Sequence, residues 1–211
     1  DDDNDDGGGD DDERRSHPTC DTPTVPHPRP LAPPLPAGES STHGIPLQPP
    51  WRCIDGGQLV VARFHGAALL LVQRCVGFDF DGTLSDRRNF TCGPNHFPQY
   101  DHCAAVLRRL HAEGNTLFIA TKESVVHLRR GSAAAQKQLG DKLRRLEAFA
   151  ALLGPDVPIL VFVEADKYRG DYHKTTPRPC GMWRAASHAL GLAGAPPPDS
   201  CFVGDAAGRN V

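Results

Sequence analysis

Short apolar runs alternate with helix-like patterns through most of the chain. The runs occupy residues 76–78, 116–120, 159–163 and 201–203. Between the second and third runs, apolar residues recur at intervals of three and four, namely Leu139, Leu143, Leu146, Phe149 and Leu153. This spacing predicts an amphipathic helix that ends at Gly154 and Pro155. Strands that are apolar throughout are typical of a parallel sheet with helices on both faces, so the pattern predicts an α/β fold.

The first 50 residues have a different composition from the rest of the chain. An Asp/Gly block comes first, and residues 18–50 hold 11 of the 20 prolines. Such a segment buries too little apolar surface to offset its chain entropy, which predicts a disordered tail over residues 1–50. Residues 51–211 are then predicted to form one domain that begins at Trp51. Because the chain stops directly after the last predicted strand, we expect this domain to be truncated at its C-terminus.

The distribution of charge suits a polyanionic partner. Nine of the 26 acidic residues lie in residues 1–13, which leaves 17 acids against 23 Lys and Arg in the remainder. The body is therefore about +6, although the whole chain is −3. A basic surplus is compatible with nucleic acid, but it is also common on an ordinary solvated surface.

Cysteine usage and hydropathy favour a soluble intracellular protein. None of the seven cysteines forms the CxxC pair that is typical of zinc or redox sites. The N-terminus is acidic where a secretory signal is basic. The longest apolar run, residues 67–72, is far shorter than the roughly 20 residues that cross a bilayer. We therefore expect no membrane association.

Two carboxylates follow the first apolar run directly, in the string Asp79-Phe80-Asp81-Gly82-Thr83-Leu84. Acids separated by one residue beyond a strand end can face a common pocket, and Gly82 allows the backbone to turn there. One acid can attack phosphorus while the other delivers a proton to the leaving oxygen. A divalent cation is needed as well, because a carboxylate is repelled by a phosphate dianion until the charge is offset.

This string resembles the first signature of the haloacid dehalogenase superfamily. Thr121, at the end of the second apolar run, resembles the Ser or Thr of the second signature, which binds the phosphate. Gly204 and Asp205, after the last run, resemble the fourth signature, in which an acid binds magnesium. The resemblance implies a Rossmann-like haloacid dehalogenase fold and Mg²⁺ as cofactor.

Further strings resemble the polynucleotide kinase 3'-phosphatase family. They are Gly181-Met182-Trp183 and residues 203–209, which read VGDAAGR. The family implies removal of 3'-phosphates from DNA ends in DNA repair, DNA with 3'-phosphate ends as partner, and a location in the nucleus. Taken alone, Trp183 is more typical of a core residue than of a binding platform.

Two regions depart from the family pattern. Lys122-Glu123-Ser124 follows Thr121 where the family has Asn-Gln, which affects substrate contacts made there. The third signature supplies a cation, and here either Lys174 or Arg178 could provide it. Lys174 preserves the residue type, whereas Arg178 has the better spacing to Gly181.

By this resemblance, Asp79 is the nucleophile that forms an aspartyl-phosphate, and Asp81 is the acid and then the base. Thr121 would hold the phosphoryl oxygens together with Lys174 or Arg178. Magnesium would be bound by Asp79, Asp205 and the backbone carbonyl of Asp81. Two alternatives remain at this stage: a small-metabolite phosphatase with the same catalytic residues, and a non-catalytic interaction protein. Nothing in the sequence resembles the P-loop of a kinase.

Overall fold

The protein is described here by a computed structural model. The described residues are 37–54, 56–65, 74–86, 95, 98–123, 131–165, 181–190 and 197–205. Residues 1–36 and 206–211 fall outside them, so the disordered tail and the C-terminal truncation stay predictions. Within the described part of the chain, no helix is both long and apolar enough to cross a membrane.

A six-stranded mixed sheet forms the centre of the described structure, and a two-stranded hairpin precedes it. The eight strands are β1 (Ser41–Thr42), β2 (Ile45–Pro46), β3 (Arg52–Ile54), β4 (Leu59–Phe64), β5 (Cys75–Phe78), β6 (Thr116–Lys122), β7 (Ile159–Glu164) and β8 (Cys201–Val203). The order across the sheet is β3-β4-β7-β6-β5-β8. Strands β7, β6, β5 and β8 are mutually parallel, while β3 and β4 add an antiparallel edge.

The four parallel strands correspond to the four apolar runs, so the α/β class and the parallel core are confirmed. In register, Phe78 lies opposite Ile119 of β6 on one side and opposite Val203 of β8 on the other. The carboxyl ends of these three strands therefore meet at one edge of the sheet. This is the edge where α/β sheets place their functional residues.

Helices cover both faces of the sheet. They are α1 (Cys103–Ala112), α2 (Ala133–Leu153) and α3 (Gly181–Ala189). Leu107 of α1 and Leu146 of α2 pack in one apolar cluster with Ile119, and Met182 of α3 packs in a second cluster with Phe118. Because successive residues of a strand point to opposite faces, Phe118 and Ile119 place one cluster on each side of the sheet.

Local sequence signals set the ends of the longest helix. The Ser132 hydroxyl accepts a hydrogen bond from the Ala135 N–H at 3.1 Å, which caps the start of α2. Gly154 ends the helix with a φ of 86°, a conformation that favours glycine. Helix α1 is preceded by His102, which makes no side-chain cap bond.

Residues shortly before Trp51, where the domain was predicted to begin, pack against the same core. Ile45 and Leu47 are buried at 4% and 6% exposure in the same cluster as Trp51. Glu39 exchanges two backbone hydrogen bonds with Cys53, at 2.7 and 2.8 Å, and so pairs with β3. The proline-rich composition gave no indication of this attachment. A few buried apolar residues and two backbone hydrogen bonds are enough to hold a short segment against the core.

Candidate active site

Asp79 follows β5 at the carboxyl edge of the sheet. Its backbone N–H donates to the carbonyl of Val203 at 2.8 Å, which extends the pairing with β8 by one residue. Its side chain accepts a hydrogen bond from the N–H of Phe80 at 2.7 Å, and the residue is only 4% exposed. The carboxylate is thus held in one place at the end of the central parallel strand.

The loop after Asp79 folds tightly on itself. The carbonyl of Phe80 accepts from the N–H groups of Leu84 and Ser85 at 2.9 and 2.8 Å, and the Gly82 N–H donates to the carbonyl of Ser85 at 2.7 Å. Gly82 has a φ of 81°, which residues with a side chain rarely adopt. Phe80 is fully buried against Phe149, with ring centroids 6.0 Å apart. A buried aromatic residue between two acids therefore anchors the loop in the core.

The residues after β8 lie against Asp79. A Cβ atom built on Gly204 would lie 3.3 Å from the Cβ atom of Asp79, so only glycine fits without displacing a neighbour. The N–H of Asp205 donates to the Thr83 hydroxyl at 3.0 Å. The predicted first and fourth signatures are therefore adjacent, and Thr83 joins them. This role of Thr83 was not predicted, since a hydroxyl in a loop carries no signal for a distant partner.

Thr121 lies near the end of β6, on the strand next to β5. It is 1% exposed and pairs in register with Val163 of β7. Since Ile119 is opposite Phe78, Thr121 lies at the same sheet edge as Asp79. The structure therefore places Thr121 on the strand next to β5, while its contact with a phosphate stays a prediction.

The carboxylate of Asp81 faces α2. Its Oδ2 atom is in direct contact with Nζ of Lys142, and its Oδ1 atom lies 3.7 Å from Nη1 of Arg145. Lys142 is fully buried, and loss of hydration lowers the pKa of its ammonium, whereas the attraction of Asp81 opposes that change. Neither Lys142 nor Arg145 was predicted to be a site residue. Only their position hinted at a role, because both cations lie among the apolar residues of the buried face of α2.

Lys122 and Glu123, two of the residues that depart from the family pattern, belong to a polar network at the ends of β6 and β7, whereas Ser124 lies outside the described residues. Nζ of Lys122 lies 3.1 Å from Oε2 of Glu164. The N–H of Glu123 donates to the carbonyl of Glu164 at 2.8 Å. The carboxylate of Glu123 accepts a hydrogen bond from the side-chain amide of Gln138 of α2 at 3.2 Å. Lys122 and Glu123 therefore link β6 to β7 and to α2.

The remaining predicted residues divide into two groups. Lys174 and Arg178 lie outside the described residues, so the choice between them stays a prediction. Trp183 is half-buried and packs edge-on against Phe118, with ring centroids 4.9 Å apart. The core interpretation of Trp183 therefore agrees with its contacts.

The donor atoms at this edge suit a hard cation. Asp79 and Asp205 carry carboxylate oxygens on adjacent strand ends, and the backbone of Asp81 adds a carbonyl oxygen. An oxygen-only set of this kind is what Mg²⁺ prefers, with water and phosphate completing the shell. Over the described ranges, no three His, Cys, Asp or Glu side chains group closely enough to hold a metal.

A family model for polynucleotide kinase 3 phosphatase matches residues 74–211. The chain belongs to this family. The match begins at the residue before β5 and includes Asp79, Asp81, Thr121 and Asp205, which are the described residues among those predicted for the site. The chain is accordingly a phosphatase of the haloacid dehalogenase superfamily, as the first and fourth signatures predicted.

Among solved structures, the chain is similar to a protein of Mesorhizobium loti that is described as a HAD-like phosphatase, where HAD stands for haloacid dehalogenase. The two are 20% identical, the match covers 70% of each chain, and the TM-score is 0.48. The assignment to the family does not depend on this comparison.

Proposed function

We propose that this protein is a magnesium-dependent polynucleotide 3'-phosphatase that removes 3'-phosphates from DNA ends during repair. The observation that supports this most is the family match over residues 74–211, which coincides with Asp79 held at a sheet edge beside Asp205. A location in the nucleus belongs to the same proposal. DNA with 3'-phosphate ends would be the substrate.

In the first step Asp79 attacks phosphorus, a phosphorus–oxygen bond forms to its carboxylate, and the bond to the 3'-oxygen breaks. Asp81 gives the proton that the departing 3'-oxygen needs. In the second step Asp81 takes a proton from water, and the water oxygen attacks the aspartyl-phosphate. Inorganic phosphate leaves, and the Asp79 carboxylate is restored.

Other groups would hold the transferring phosphoryl group. Thr121 would donate a hydrogen bond to one phosphoryl oxygen, and Lys174 or Arg178 would offset its charge. Asp79, Asp205 and the Asp81 carbonyl would hold Mg²⁺. When bound, the ion neutralises charge between the nucleophile and the phosphate.

The decisive experiment measures phosphate release from a 3'-phosphorylated oligonucleotide, with and without Mg²⁺. We expect release from the wild type, and a loss of about 1,000-fold or more in Asp79→Asn, because the amide keeps the shape but is not a nucleophile. Chelation of Mg²⁺ should abolish release. Asp156→Asn is the matched control, because Asp156 is exposed in the turn after α2 and should retain full activity.

The same assay with sugar phosphates separates the alternatives. A higher kcat/KM for sugar phosphates than for the oligonucleotide would indicate a metabolite phosphatase. Absence of magnesium-dependent release from every substrate would indicate a non-catalytic protein. Wild-type turnover in Asp79→Asn would remove Asp79 from the mechanism.

A further inference from the structure

Two cations of α2 lie on the helix face that packs against the sheet. Lys142 follows Leu139 by three residues and precedes Leu146 by four, so the three side chains share one face. Arg145 lies one turn further along and precedes Phe149 by four residues. The side chains of Lys142 and Arg145 are only 1% and 4% exposed. Since Lys and Arg are almost never fully buried unless they are paired, both need an anion inside the protein.

The anion that Lys142 contacts is the carboxylate of Asp81. Nζ of Lys142 contacts Oδ2 of Asp81 and also donates to the carbonyl of Lys122 at 3.4 Å. It lies 5.5 Å from the ring centroid of Phe80, over the face of the residue that anchors the loop. Lys122 directly follows Thr121 near the end of β6. The ammonium therefore joins the loop after β5 to the end of β6.

Arg145 faces the second oxygen of the same carboxylate. Its Nη1 atom lies 3.7 Å from Oδ1 of Asp81. Both atoms are buried and lack a hydrogen-bond partner within the described part of the chain, as does Nε of Arg145. Since an N–H···O bond is about 2.9 Å long, a shift of about 0.8 Å would close this one. A buried donor or acceptor that is left unpaired is unfavourable, so a hydrogen bond between Nη1 of Arg145 and Oδ1 of Asp81 would be stabilising. The carboxylate of Asp81 is therefore attracted by both cations.

We infer that Lys142 and Arg145 are positioning residues, which hold the Asp81 carboxylate in place for proton transfer. This inference rests on the proposed function, in which Asp81 acts as acid and then as base. Such a group must lie within hydrogen-bond reach of the proton it transfers, and a misplacement of about 1 Å can lower a rate about 100-fold. Two cations on one helix fix the carboxylate relative to the core, independently of the loop that carries it.

The test compares two substrates that differ in their need for an acid. A 3'-phosphorylated oligonucleotide releases an alkoxide, which requires a proton, whereas p-nitrophenyl phosphate releases a stable phenolate. Lys142→Met keeps the unbranched shape and removes the charge. We expect its turnover of the oligonucleotide to fall about 100-fold and that of p-nitrophenyl phosphate to change less than about threefold, with little change in KM. A loss of folded protein would instead lower both rates by one factor.

Matched variants on the same helix sharpen the comparison. Lys137→Met removes a cation that is 73% exposed and pairs with Asp141, so it should leave both rates unchanged. Arg145→Met should reproduce the selective loss, and Arg145→Lys should restore part of it because it retains the charge. In an Asp81→Asn background, Lys142→Met should add no further selective loss, since the group that it positions has already been neutralised.

Each outcome decides the inference. For a variant that is folded by circular dichroism, equal losses on both substrates, unchanged rates, or a full additional loss in the double variant would overturn the inference while leaving the proposed function in place. A wild type that releases phosphate from neither substrate would remove the proposed function and this inference with it. If Lys142→Met does not fold, Arg145→Met and Arg145→Lys decide on the same two substrates.

Discussion

Replacing Gly77 with alanine would force a methyl group into the ring of Phe118. Gly77 lies in β5, two residues before Asp79. A Cβ atom built there lies 2.7 and 2.8 Å from Cε2 and Cε1 of Phe118, and in contact with Cζ. Carbon atoms do not approach so closely, so either the ring or the strand must move.

The surroundings of Phe118 determine how much Gly77→Ala destabilises the fold. The ring is 1% exposed, and it packs edge-on against Trp183 at 4.9 Å and Phe162 at 6.2 Å between centroids. Overpacking of a well-packed core typically costs about 1 to 3 kcal/mol. Because aromatic rings confine Phe118 on two sides, we expect Gly77→Ala to lower the free energy of unfolding by about 3 kcal/mol. Backbone strain adds little, since Gly77 does not have a positive φ.

Urea unfolding followed by far-UV circular dichroism measures this change. Phe118→Leu should be destabilising alone but should recover at least about 1 kcal/mol of the loss when combined with Gly77→Ala, because the shorter side chain leaves room for the methyl group. Gly140→Ala is the matched control. Gly140 lies within α2 and its nearest neighbour is Arg144 at 3.9 Å, so alanine should stabilise the helix by about 0.5 to 1 kcal/mol. An unchanged midpoint for Gly77→Ala, or no recovery in the double variant, would refute the argument from ring contact.

Two further predictions concern the end of β8 and the cysteines. Gly204→Ala places a methyl group 3.3 Å from the Cβ atom of Asp79. Turnover of a 3'-phosphate should therefore fall at least about tenfold, while the urea midpoint of unfolding changes little. Turnover equal to that of the wild type would show that Asp79 tolerates the contact. Burial raises the pKa of the Cys75 thiol to about 11, so only about 0.1% of it is thiolate at pH 8, whereas Cys201 is exposed. Iodoacetamide at pH 8 should therefore modify Cys201 before Cys75 in the native protein, and peptide mass mapping measures the order. Modification of Cys75 first would contradict its burial.

The parts of the fold that the sequence predicted are those set by local pattern. The run at residues 159–163 is apolar throughout because β7 is buried on both faces, and Gly154 marked the end of α2 because its φ is positive. The strand partners in the antiparallel edge were not predicted. Strand β4 pairs with β7, nearly 100 residues later in the chain, and a choice between distant partners leaves no local signal.

The site residues show the same division. Asp79, Asp81, Thr121 and Asp205 could be named as candidates because the strings that hold them resemble family signatures and occur in the expected order. Lys142 and Arg145 could not be identified by that route, since their role depends on where α2 packs. A cation in an apolar stripe is ordinarily explained by its side chain reaching solvent, and only the packed structure shows that these two are buried.

Lys142 does not replace the cation that is proposed for the third signature. Lys142 is fully buried, and its ammonium is already engaged by the Asp81 carboxylate and the carbonyl of Lys122. A phosphoryl group would have to displace both before it could bind there. In the proposed mechanism, positioning Asp81 and offsetting phosphoryl charge are therefore separate tasks, and Lys142 can serve only the first. The second task is the one proposed for Lys174 or Arg178, and α2 leaves the need for it unchanged.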